Sequence, residues 1–245
     1  MTILRMLKWI AGLLVLILVA SLGLVSFELG KEWVELPSGA KISALHLVKS
    51  PSSANGLTHI NDLPEHVYQA LLATEQPDYL RGGTNRVQCI LRQIVWGLAD
   101  TSALERCPLD PALFAARLLL ETEEHAGAAR GPLKQLLLAW KLESTLNREQ
   151  VVEIVLNNAY FGQGNTGLAD AAEFYFAENA AGLDIAQAAT LAGLIKGPSR
   201  YDPYRYPERA RARRNTVLAS MAAHSMISQE LAITAQTTPL LLAKR

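Results

Sequence analysis

The sequence predicts a mainly α-helical domain carried outside the cytoplasm behind one membrane-spanning helix. Three observations point there. Trp9 to Phe27 is an uncharged apolar run. Leucines at 118, 119, 136, 137, 138 and 142 recur at the spacing of helical core faces. After residue 62 no Asn-Gly turn separates alternating strands. The chain has 245 residues, 23 basic and 23 acidic, with half of it hydrophobic and 16 Gly and 11 Pro. That composition excludes a disordered or collagen-like chain, and zero net charge argues against nucleic acid as a partner. Two cysteines exclude a disulfide scaffold and a four-cysteine zinc site. The five histidines show no His-x-x-x-His spacing, which argues against a metal centre built on imidazoles.

Residues 1–8 read as a cytoplasmic tail and residues 9–27 as the transmembrane anchor. At 1.5 Å per residue such a run crosses a hydrocarbon core of about 30 Å. Arg5 and Lys8 precede it, which places the N-terminus in the cytoplasm and the remainder outside, as a single-pass membrane protein. The competing reading is a cleaved signal peptide, whose apolar region is usually about 7–15 residues long. Residues 28–61 read as a linker and small lobe, with turns at Pro37-Ser38-Gly39 and Pro51 to Gly56.

The helical domain is expected from 62 to 236, with a tail at 237–245. It opens at Asp62-Leu63-Pro64-Glu65, an Asp cap with an early Pro and a Glu three residues on. Further helices are expected near 86–98, 110–125, 132–146, 148–157, 167–178, 184–196, 207–224 and 227–236. Gly162, Gly164 and Gly167 mark one loop and Pro198 to Pro207 another.

Few side chains stand out for chemistry. Glu75 ends the first exported helix, where it reads either as a solvated helix-end glutamate or, if desolvation raises its pKa, as a general base. Glu121, Glu123 and Glu124 beside His125 form an acid–base cluster or a solvated helix end. Arg209, Arg211, Arg213 and Arg214 can bind phosphate or line a solvated helix face. Ser38-Gly39-Ala40-Lys41 matches Ser-x-x-Lys, but no Ser-Asp-Asn or Lys-Thr-Gly partner accompanies it.

Taken in order, the segments between Leu63 and Ala232 resemble the peptidoglycan glycosyltransferases (transglycosylases) of family 51, as a divergent, monofunctional, membrane-anchored member. Arg148 to Asn157 is similar to the family's K-x-x-I-L-E-x-Y-L-N, with Glu153 and Asn157 on its polar positions. Tyr160-Phe161-Gly162-Gln163-Gly164, Gly167, Ala171-Ala172 and Tyr175-Phe176 continue it. Ala186 to Pro203 and Arg213-Arg214-Asn215 with Val217, Leu218 and Met221 match the next motifs. Leu63-Pro64-Glu65 through Glu75 resembles the approach to E-D-x-x-F-x-x-H, with Gln76 in place of the Asp and no His. Gly82 to Gln93 is the counterpart of G-G-S-T-I-T-Q-Q-L-x-K-N, where Arg92 replaces Lys. Gly131 to Glu143 is the counterpart of R-K-x-x-E-x-x-x-A-x-x-L-E. It keeps Ala139, Leu142 and Glu143, but has Gly131-Pro132 for the basic pair and Gln135 for the Glu.

The resemblance implies a lysozyme-like glycosyltransferase domain that polymerises glycan strands from a lipid-linked disaccharide-peptide during cell-wall synthesis. Glu75 would be the catalytic base, Gln135 a degenerate second site position, and Arg92, Arg130 and Lys134 the cations that meet the pyrophosphate. Glu75 and Gln135 would face one cleft. Mg²⁺ or Mn²⁺ is the cofactor such a leaving group would call for, and Gln135 lacks the carboxylate such ions prefer. The alternative is a catalytically inert relative that binds the lipid-linked substrate, the growing glycan strand or a cell-wall synthesis protein. A membrane-tethered adaptor without a pocket is a third class. Cys89 and Cys107 both follow the anchor, so a bridge between them is expected in an oxidising compartment, the alternative being two separate buried thiols.

Overall fold

The structure is a computed structural model that describes residues 56–73, 77–80, 110–122 and 132–244, with Gly23 and Gly30 before them. Its secondary structure is almost entirely helical. A 3₁₀ turn over Ile60–Asp62 leads into α1 (Glu65–Ala73), followed by α2 (Pro111–Thr122), α3 (Pro132–Thr145) and α4 (Arg148–Asn158). Strands β1 (Tyr160–Gly162) and β2 (Asn165–Thr166) pair antiparallel. Helix α5 (Leu168–Phe176), a second 3₁₀ turn (Ala180–Gly182), α6 (Ile185–Ile195), α7 (Pro207–Ala223) and α8 (Gln229–Thr237) complete the chain.

The helix boundaries follow local chemistry. Asp110 Oδ1 accepts from the backbone N–H groups of Ala112 and Leu113, with Pro111 as the first helical residue of α2. Asn147 with Gln150 and Asp184 with Gln187 form full capping boxes on α4 and α6. Ser228 caps α8 through Leu231 N–H. Helix α7 starts on Pro207 without a side-chain cap.

Two helices form the centre. Every residue of α4 from Val151 to Asn158 is buried, including Glu153, Asn157 and Asn158. Helix α6 is apolar along most of its length and packs against α1, α5, α7, α8 and β1. Helix α4 packs against α2, α3, α5 and the first 3₁₀ turn. A helix buried on all sides must satisfy its polar groups internally, since each unmet buried group costs about 1–3 kcal/mol. Asn158 does so along its own helix, donating to the Ile154 carbonyl at 2.9 Å.

Two expectations from the sequence are corrected. Asp62 lies in the 3₁₀ turn and helix α1 begins at Glu65, because the chain bends through Leu63 and Pro64 first. The glycine stretch expected as a loop is a short hairpin. Gln163 and Gly164 both take positive φ, 54° and 82°, and turn the chain so that β2 returns along β1. The anchor at 9–27 (Gly23 apart), the helix near 86–98 and the Cys89–Cys107 bridge lie outside the described residues. No helix among the described residues is long and apolar enough to cross a membrane.

Candidate functional site

Helix α4 holds the start of the domain through two side chains. Asn157 makes a two-way bond with residue 58: its Oδ1 accepts from Thr58 N–H at 2.8 Å and its Nδ2 donates to the Thr58 carbonyl at 2.9 Å. Glu153, one turn earlier, accepts from Ile60 N–H through Oε1 at 2.9 Å. The His59 ring lies 3.7 Å from the same oxygen. Thr58, Ile60, Glu153 and Asn157 are all buried. This clamp fixes an extended segment more than 90 residues away in sequence and so sets where α1 begins.

The far end of α1 is fixed as firmly. The hydroxyl of Ser220 on α7 donates to the carbonyl of Ala73, the last residue of α1. Val67, Ala70, Leu72 and Ala73 are buried, and α1 packs on α6 and α7. His66 Nε2 lies 2.8 Å from the Leu183 carbonyl. Beside it, burial raises the pKa of the Tyr68 phenol, with Glu65 and then Glu149 adding to the shift.

The turn at 77–80 is held from α4. Tyr79 is fully buried, and the Arg148 guanidinium sits 5.0 Å from its ring centroid. Arg148 also donates to the Tyr79 carbonyl. The described positions on either side of Glu75 are thus tied to two different helices, Ala73 to α7 and Tyr79 to α4. Arg148, Glu153 and Asn157 all belong to the motif-like segment 148–157, and their polar bonds to segments 58–60 and 79 give those positions a structural role.

Of the expected site residues, Lys134 and Gln135 lie in the first turn of α3, both half-buried. Glu75, Arg92 and Arg130 lie outside the described residues, as do Glu123, Glu124 and His125; Glu121 is on the last turn of α2. Among the described residues no three His, Cys, Asp or Glu side chains gather as a metal site requires. A cleft of about 440 Å³ opens at the entry to the clamp, lined by Thr58, His59, Asp62, Glu173 and Glu178 among others. Neither Lys134 nor Gln135 lines it.

The other motifs close the scaffold. Gly162 has φ +92°, and a Cβ there would meet the Tyr175 hydroxyl at 3.1 Å and Pro198 Cβ at 3.2 Å. Only glycine suits that backbone and that space. The Tyr175 hydroxyl donates to the Phe161 carbonyl at 3.0 Å. Arg214, expected on a solvated basic face, is instead fully buried. It donates to the Thr238 carbonyl at 2.6 Å and the Gln236 carbonyl at 2.7 Å, fastening the end of α8 to α7. Burial and then the Arg211 charge lower its pKa, with Asp184 opposing.

Residues 113–222 match the family described as Transglycosylase. The chain is 33% identical over 171 residues to penicillin-binding protein 1A of Neisseria gonorrhoeae, covering 70% of this chain and 21% of that protein. It is 34% identical over 185 residues to penicillin-binding protein 1A of Aquifex aeolicus (strain VF5), covering 76% and 25%. The crystal structure of penicillin-binding protein 1A from Haemophilus influenzae aligns with a TM-score of 0.47 at 21% identity, covering 79% of this chain and 19% of that one. The chain spans a quarter or less of the length of these relatives.

Proposed function

The chain belongs to the transglycosylases, the glycosyltransferases of family 51, and on that footing we propose that it extends glycan strands from lipid-linked disaccharide-peptide at the outer face of the inner membrane. The observation that carries this reading is the double fixation around Glu75: Ala73 held by Ser220 and Tyr79 held by Arg148. A general base must be placed within hydrogen-bond reach of the hydroxyl it deprotonates, and a scaffold that pins the chain on both sides of one carboxylate serves that need.

In the proposed reaction Glu75 takes the proton of the acceptor's sugar hydroxyl. The hydroxyl oxygen forms a bond to the anomeric carbon of the donor strand. The bond from that carbon to the pyrophosphate oxygen breaks, and the lipid pyrophosphate leaves with the electron pair. Arg92, Arg130 and Lys134 neutralise the charge that develops on it. Lys134 sits in the first turn of α3, and the two arginines offer planar forks suited to phosphate oxygens. A divalent cation is given no step. Its expected ligand position carries Gln135, an amide, whereas Mg²⁺ favours carboxylate oxygens. In this reading residues 9–27 anchor the enzyme and the helical domain works on the periplasmic or extracellular side.

The second reading, an inert relative that binds lipid-linked substrate, glycan or a cell-wall synthesis partner, is favoured by Gln76, Gln135 and Gly131-Pro132, which stand where the family carries charged groups. Incubating the purified full chain with lipid-linked disaccharide-peptide separates the two. Polymer on a gel supports the enzyme; saturable binding with no polymer supports the inert relative.

A further inference from the structure

Between residues 196 and 214 the chain carries seven Lys and Arg against two carboxylates, within a protein whose total charge is zero. Both carboxylates are engaged. Asp202 is buried, accepts from Gln163 Nε2 at 2.5 Å, and caps the backbone N–H groups of Tyr204 and Arg205. Glu208 pairs with Arg211 at 3.5 Å. Arg214 is buried against the C-terminal segment. Of the other five, Lys196 and Arg213 have interactions of their own, while Arg200, Arg205 and Arg209 are exposed and none of these three is in an ion pair among the described residues.

Tyrosine rings gather these cations. Arg200 and Arg213 approach the same Tyr201 ring, at 5.6 and 5.9 Å from its centroid. Arg209, one turn from Arg213 on α7, lies 4.9 Å from the Tyr206 ring. A ring beneath a guanidinium restricts a side chain that is otherwise rich in rotamers, while the N–H donors stay at the edge of its plane. Tyr206 is itself 41% exposed.

We infer that the surface carrying Arg200, Arg209 and Tyr206 docks an extended sugar polymer bearing carboxylates at intervals. Guanidinium forks pair with carboxylates in two parallel bonds, and an exposed tyrosine ring accepts the apolar face of a sugar. A basic patch also attracts an anionic bilayer, but stable interfacial binding draws on buried apolar area as well as on charge. Residues 196–214 contain no Leu, Ile, Val, Phe, Trp or Met. The identity of the polymer rests on the proposed function: it is the strand the enzyme itself would make, held outside the reaction site.

The test uses the full chain in neutral detergent micelles and a fluorescent, lipid-free glycan fragment with carboxylate-bearing stem peptides, read by anisotropy. The double variant Arg200→Glu with Arg209→Glu is expected to weaken binding by about tenfold or more, since two charge-assisted bonds are lost. Amidating the probe's carboxylates should have the same effect on the native chain, and Tyr206→Ala should weaken binding several-fold. Arg200→Gln with Arg209→Gln serves if the charge-reversed variant does not fold. Unchanged affinity in the folded double variant, or equal binding of the amidated probe, overturns the inference. So does a preference for anionic phospholipid vesicles that alone is lost in the variant. Because preformed glycan is the probe, failure to make polymer leaves this result readable on its own.

Discussion

The Ser220 hydroxyl donates to the Ala73 carbonyl and so joins two residues 147 positions apart. Ala73 is the last residue of α1, and a helix leaves its final carbonyls without partners of its own. Supplying one from α7 fixes the end of α1 two residues before Glu75. Ser220→Ala leaves a buried carbonyl unmet and is expected to cost about 1–2 kcal/mol of stability. Urea unfolding with an unchanged m-value would show this. An undiminished midpoint would mean that the bond does not hold the helix end.

The clamp at the other end makes a sharper prediction, because its two parts differ. Glu153→Ala removes the acceptor for the buried Ile60 N–H and should cost about 2–3 kcal/mol. Glu153→Gln keeps an oxygen there and should recover most of that loss. Asn157→Ala strips both bonds to Thr58 and should match or exceed Glu153→Ala. Equal destabilisation by Glu153→Ala and Glu153→Gln would show that charge, rather than the bond to Ile60, is what matters.

Much of this fold was legible beforehand because its helices announce their ends. Pro111, Asn147 with Gln150, Asp184 with Gln187, and Pro207 all sit at observed boundaries. The hairpin after α4 was not legible, since its turn uses Gln163 at φ 54°, a residue that gives no local turn signal. Arg214 was misplaced because its neighbours Arg209 and Arg211 are exposed, and a run of arginines hides the one that turns inward. The roles of Glu153 and Asn157 depend on segment 58–60, more than 90 residues away, which no periodicity within α4 reveals.

Gly162 tests the packing around that hairpin. Gly162→Ala puts a Cβ against Tyr175 and Pro198 at a φ of +92°. The loss should be about 1–3 kcal/mol, larger than for glycine in open space. Gly164→Ala provides the comparison: its φ is +82° but nothing lies within 4 Å of the added carbon. Thermal melts of the two variants should therefore differ, with Gly162→Ala the lower.

Gln135→Glu restores the carboxylate that the family carries at this place in α3. If its absence limits turnover, the variant should polymerise faster than the native chain under identical substrate. No gain would assign the limit to another departure from the family pattern, such as Gly131-Pro132 in place of the basic pair.

In the proposed reaction Glu75 is the catalytic base, and the chain is pinned on both sides of it at Ala73 and Tyr79. The most direct test of that role compares initial polymerisation rates of the native full chain and Glu75→Gln on lipid-linked disaccharide-peptide, with matched thermal melts as the control for folding. The account predicts polymer from the native chain and none above background from the variant, a loss of about 100-fold or more for a missing general base. Polymer made by Glu75→Gln at the native rate would contradict it.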